Sequence, residues 1–166
     1  MAPRAAMASH LHNVPFYVVC AFLMQETNGG NNIYGHDVRL VGTTKVPQPF
    51  YGHGEVTQTN YAIYKGERDR LLKEPGYGYR RSQGVGPMQL TYWSIQDEAD
   101  AAGGCWQPWV NITTGIKIIK SYYDTARQLG KSDKDAWHYA ALKWNGKESY
   151  AVAMDALFAK WKPLVG

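Results

Sequence analysis

The longest apolar run in the chain, residues 14–24 (Val-Pro-Phe-Tyr-Val-Val-Cys-Ala-Phe-Leu-Met), breaks abruptly into Gln25, Glu26, Thr27 and Asn28 before the pair Gly29-Gly30. A segment that is apolar almost all round predicts a helix buried at the centre of its domain. Asn13 is placed to cap it, Pro15 is tolerated in its first turn, and the glycine pair closes it. Ile112, Ile116, Ile119, Tyr123, Ala126 and Leu129 recur at helical spacing and predict a helix over 111–129, ended by Gly130. Ser132 with Asp135 three residues on reads as a capping box opening a helix through Trp144, and 149–162 forms a last helix stopped by Pro163. Residues 31–82 are rich in Gly, Pro, Tyr and Asn around one helix at 59–73, and loops of that length usually carry function. In Ser82-Gln-Gly-Val-Gly-Pro-Met-Gln-Leu-Thr91, Gly84, Gly86 and Pro87 forbid a helix and predict an extended piece, after which a helix over 91–102 runs to Gly103-Gly104. The pattern predicts a mainly α protein: a two-lobed helical domain, with a loop-rich arm to wall a substrate cleft.

A chain of 166 residues, 45% hydrophobic and 19% charged, is long enough for one compact domain with a real core and short for two, so a single domain over 1–166 is expected. The net charge of +4 is spread without a dense basic tract, which gives no indication of nucleic acid and suits polyanionic partners such as phosphate-bearing wall polymers. Cys20 and Cys105 show no metal-site spacing; with one of them inside the apolar run, free thiols are expected. Residues 14–24 lie too far in for a signal peptide, lack a small-residue cleavage site and are too short to span a bilayer. A protein made in the cytoplasm without an export signal or stable membrane insertion is the expectation, and a monomer needs no further assumption.

Glu26 sits where acid catalysis needs a carboxyl. A general acid must stay protonated near neutral pH, and partial burial against apolar neighbours disfavours its anion. Gln89, delivered by the extended piece, offers an amide donor and acceptor of the kind that a sugar N-acetyl group requires. Plainer roles stand beside these. Glutamate is a common residue of solvated helix faces, Gly-x-Gly-Pro is an ordinary loop, Glu55 suits a solvated loop charge, and His36 and His53 flank glycines at no metal-ligand spacing. Arg80 and Arg81 suit an exposed surface or a cleft rim. Trp93, Trp106, Trp109, Trp137 and Trp161 are more readily core than sugar platforms.

Taken in order, Glu26-Thr27 ending an apolar helix, Gly86-Pro87-Met88-Gln89-Leu90, Asn111 with Gly115, and Ala140-Ala141-Leu142-Lys143-Trp144-Asn145-Gly146 resemble the four blocks of the soluble lytic transglycosylases and goose-type lysozymes. Tyr34-Gly35-His36-Asp37, Gly84-Val85-Gly86-Pro87 and Gly103-Gly104-Cys105-Trp106 are similar, more narrowly, to catalytic modules of endolysins from phages of actinobacteria. The resemblance covers about residues 14–161. It implies an α+β lysozyme-like fold that cleaves the β-1,4 bond between N-acetylmuramic acid and N-acetylglucosamine in peptidoglycan, without cofactor or metal, as a phage endolysin reaching the wall after holin-dependent release.

Carried over by the same resemblance, Glu26 is the general acid and then base. Gln89 contacts sugar or acetamido groups with Met88 packing beneath, and Asn145 hydrogen-bonds the saccharide. Trp144 stands where the family carries tyrosine, which leaves the phenolic contact to the acid unassigned; Tyr139 is a nearby phenol. Asp37, eleven residues after Glu26, matches an auxiliary aspartate of goose-type lysozymes, although aspartate is also a favoured turn residue. A second such aspartate is replaced here by Thr91. An inverting hydrolase needs a carboxylate about 6.5–9.5 Å from the acid to activate water. A lytic transglycosylase needs none, because the substrate's 6-hydroxyl attacks and leaves an anhydro sugar. Two readings compete with an enzyme: a non-catalytic module that binds wall glycan, and a structural virion component whose cleft is incidental.

Overall fold

The structure, a computed structural model, describes residues 2–35, 38–41, 44–47, 52–73 and 81–165. In chain order its elements are α1 (Ala2–His12), α2 (Phe16–Thr27), β1 (Val38–Val41), β2 (Thr44–Pro47), α3 (Gln58–Leu71), β3 (Arg81–Val85), β4 (Leu90–Tyr92), α4 (Trp93–Ala101), α5 (Pro108–Gln128), α6 (Asp133–Asn145) and α7 (Glu148–Val165). The protein is mainly helical, with β1-β2 and β3-β4 as antiparallel pairs. The chain divides into two compact units, Met1–Gly29 with Ile112–Gly166, and Gly30–Asn111.

In the first unit the all-apolar α2 is central, packing against α1 and α7. Val18, Val19, Ala21 and Phe22 are fully buried. Phe22 meets Trp144 edge-on at 6.4 Å between ring centroids and Phe158 at 6.0 Å, and burial of such a ring contributes about 1.5–3 kcal/mol. Tyr123 of α5 stacks on Trp137 of α6 at 4.0 Å. One helix was not expected and two expectations are corrected here. The chain before residue 13 forms α1, which presents the small Ala5 and Ala8 to the core and so carries little apolar signal. Asn13 ends α1 in the left-handed region (φ 50°) and is not the cap of α2, whose first turn is preceded by Pro15 with no side-chain cap. Pro163 lies inside α7 and does not stop it. Its ring removes one hydrogen bond close to the helix end, where Phe158, buried on the core side, already anchors the helix.

The second unit threads a buried polar network through a core of aromatic and aliphatic side chains, among them Tyr61, Tyr64, Val85 and Leu90. Arg68 on α3 is 1% exposed; its Nη2 donates to Asp97 Oδ1 at 2.6 Å, its Nε to Asp69 Oδ1 at 2.8 Å and its Nη1 to Gln96 Oε1 at 2.9 Å. Gln96 in turn donates to the carbonyls of Gln83 (2.8 Å) and Leu90 (2.7 Å), and the Gln83 amide donates to those of Gly35 (2.7 Å) and Gly52 (3.0 Å). Backbone this irregular leaves carbonyls without ladder partners, so buried side-chain amides supply them. Residues 90–92 are strand and α4 begins at Trp93, later than the sequence pattern predicts, because Thr91 and Tyr92 suit the pleat. Trp93 is 37% exposed, against the expectation of a core ring, whereas Trp137 is buried at 3%.

Candidate active site

Glu26 stands in the last turn of α2, half-buried where the apolar run ends. Its Oε1 accepts two hydrogen bonds, from Trp144 Nε1 at 2.9 Å and from Tyr150 Oη at 2.5 Å. Local geometry explains why two residues six apart converge on one oxygen. Trp144 occupies the last turn of α6, Gly146 closes that helix in the left-handed region (φ 84°), and α7 begins at Glu148. Trp144 and Tyr150 therefore flank a two-residue corner. Burial first, and then the charge of Glu26 and the hydrogen bond to it, push the Tyr150 hydroxyl far above the usual phenol value, so it remains a donor at any physiological pH.

The phenolic contact thus belongs to Tyr150, which the sequence did not single out, and not to Tyr139. Tyr139 precedes Trp144 by five residues on α6, about 140° away around the helix. Its ring lies beside Lys131 and Lys143, whose ammonium groups are 5.8 and 5.3 Å from its centroid. Asn145 is half-buried beside Trp144, and its Oδ1 finds no donor among the described residues. Such an acceptor costs about 1–3 kcal/mol while it stays unpaired.

In the second unit, residues 85–90 form a tight turn between β3 and β4, tied by Asn111. The Asn111 Oδ1 accepts from Met88 N at 2.8 Å, and its Nδ2 donates to Val85 O at 2.9 Å and Cys105 O at 3.3 Å. Asn111 is accordingly a fully buried clamp within α5, which starts at Pro108, and not the cap of that helix. Gly86 is required twice over: its φ is +73°, and a Cβ there would lie 2.5 Å from Asn111 Nδ2. Gln89 adopts a left-handed φ of 48°, costly for a residue with a side chain. Its Nε2 is committed to the carbonyls of Ile33 (3.1 Å) and Gly86 (2.9 Å), which leaves Oε1 as the atom to meet a ligand. Thr91 Oγ1 donates to Gln89 O at 2.9 Å. Met88 is 0% exposed and supports the turn from within, beneath Gln89.

His36 and Asp37 lie outside the described residues, as does Arg80. Among the described residues no cluster of three or more His, Cys, Asp or Glu side chains is arranged to hold a metal ion. Cys20 and Cys105 are free thiols, both pushed upward by burial, Cys105 to about 12. No described helix is long and apolar enough to cross a membrane. Compared with family models, with curated proteins and with solved structures, the chain matches none.

Proposed function

We propose that the protein is a lysozyme-like peptidoglycan glycosidase that cleaves the β-1,4 bond between N-acetylmuramic acid and N-acetylglucosamine with Glu26 as general acid, acting as a phage endolysin once released to the wall. The carrying observation is the pair of donors on Glu26 Oε1. The two donors fix Oε1 and with it the orientation of the carboxyl that is to deliver the proton. The same donors stabilise the carboxylate that forms when the proton leaves. Glu26 protonates the glycosidic oxygen as the sugar approaches an oxocarbenium ion, and its carboxylate then takes a proton from the attacking group.

Asn145, next to Trp144 in the chain, is the proposed saccharide contact; its buried Oδ1 has no donor among the described residues. In the other unit, Gln89 is proposed to contact sugar or acetamido groups, with Oε1 as its uncommitted atom. Asp37 is the proposed base if water attacks. A transglycosylase, in which the substrate's own 6-hydroxyl attacks, needs no such base and stays the alternative outcome. A purely wall-binding module has no need of a doubly anchored carboxyl.

Turbidity of purified actinobacterial walls tests the assignment. The wild-type protein is expected to clear them, and Glu26→Gln, whose amide oxygen still accepts from Trp144 and Tyr150, to lose about 10²–10⁴-fold in rate while staying folded. Clearing that survives this substitution unchanged removes the assignment.

A further inference from the structure

The corner that brings Trp144 and Tyr150 to Glu26 is held by another side chain. His138 of α6 has both ring nitrogens on carboxylates of α7: Nδ1 lies 2.8 Å from Asp155 Oδ2 and Nε2 lies 3.0 Å from Glu148 Oε1. Ionised carboxylates only accept, so both contacts are hydrogen bonds only when both ring nitrogens carry protons. Asp155 lies two turns into α7, whereas Glu148 is its first residue, two before Tyr150. One imidazolium therefore grips α7 at its first turn and along its length.

We propose that protonated His138 is a positioning residue for Tyr150: its bond to Glu148 pins the first turn of α7 and with it the hydroxyl on Glu26, and loss of its proton releases that turn. The catalytic consequence rests on Glu26 being the acid; the structural coupling does not. On deprotonation one bond must go. Asp155 makes the shorter contact and its side chain is 28% exposed against 65% for Glu148, so the neutral ring keeps Nδ1–H on Asp155 and frees Glu148.

The hydrogen bond to Asp155 raises His138 above the usual 6.5 against the partial burial that lowers it, and the charges of Asp155 and Glu148 add to the rise. The bridge is therefore complete below about 6.5 and is lost as pH climbs through the raised native value. Other charges nearby are engaged or distant in role. On α5, Lys120 pairs with Asp124 at 2.5 Å and Tyr123 donates to Asp133 at 2.6 Å. Lys162 of α7 lies over the Tyr17 ring of α2, Asp135 on α6 is taken up by the Ser132 cap, and Lys134 lines a pocket of 230 Å³ that Asp155 also borders.

The test titrates the His138 ring by NMR while following the exchange protection of the Tyr150 and Ala151 amides, both bonded to the Lys147 carbonyl, together with wall-lysis rate. Protection and lysis are each expected to fall about two- to fivefold through the His138 midpoint, the effect of losing one solvent-exposed ion pair. Glu148→Gln, whose amide accepts from an N–H or donates to a bare ring nitrogen, is expected to flatten both dependences. Protection that ignores the His138 midpoint, or keeps the same dependence in Glu148→Gln, overturns the proposal. If protection follows the midpoint while lysis does not, Glu26→Gln decides the cause. An active Glu26→Gln removes Glu26 as the acid and leaves the coupling standing, whereas an inactive one overturns the catalytic part of the proposal.

Discussion

Glu26, the proposed acid, has one carboxyl oxygen held by two aromatic donors, Trp144 and Tyr150, and a carboxyl that is to hand over a proton gains from such a fixed orientation. Tyr150→Phe keeps the buried ring and removes only the hydroxyl. It is expected to lower the turnover rate of wall cleavage about tenfold with little change in KM, since one hydrogen bond to a charged group contributes about 1.5 kcal/mol. Steady-state kinetics on soluble glycan fragments measure both constants. Glu26 stood out in the sequence only in company with the later blocks, since a glutamate at a helix end is common on its own. Trp144 and Asn145 stood out by their block. Tyr150 did not, because it belongs to the next helix, and its reach to Glu26 depends on a two-residue corner whose angle no periodicity records. An aromatic residue just after Trp-Asn-Gly was the available signal.

At the scale of elements, the turn between β3 and β4 depends on Gly86 and Asn111 approaching each other more closely than any side chain at 86 permits. Gly86→Ala is expected to destabilise the protein by about 1–3 kcal/mol through overpacking against Asn111 and a left-handed φ, read as a lower urea midpoint. A smaller effect means that Asn111 swings aside, and the bonds to Met88 N and Val85 O are then not the clamp described. Helices with strong apolar periodicity, α2 and α5, were legible within a few residues, and so was α6 from its Ser132 cap. The α1 helix was not, since alanines bury little surface and leave no stripe. Asn13 misled for a definite reason: asparagine suits both a helix N-cap and a left-handed helix end, and only the presence of α1 decides between them.

At the scale of the whole molecule, the two units rest on different chemistry. The first is an aromatic and aliphatic helical core, whereas the second threads through its apolar core a network of buried Arg68 and its amide and carboxylate partners. Arg68→Ala removes one donor from each of Asp97, Gln96 and Asp69, although Lys65 still faces Asp97 and Tyr64 still donates to Gln96 Oε1, and is expected to cost about 1–3 kcal/mol, since both carboxylates are part-exposed. Hydrogen exchange is expected to show the loss concentrated in residues 30–111. A uniform loss across the chain contradicts that assignment. This network was invisible in the sequence because arginine and glutamine normally mark solvated faces, and nothing local reveals that irregular backbone has called them inside. The central claim remains that Glu26 is the acid that opens a peptidoglycan glycosidic bond. Mass spectrometry of wall fragments released by wild-type protein and by Glu26→Gln tests it most directly. The account predicts new muramic-acid ends, hydrolysed or 1,6-anhydro, from the wild type and none above background from the variant. The same glycan ends released by both proteins, or peptide cleavage with intact glycan, contradict it.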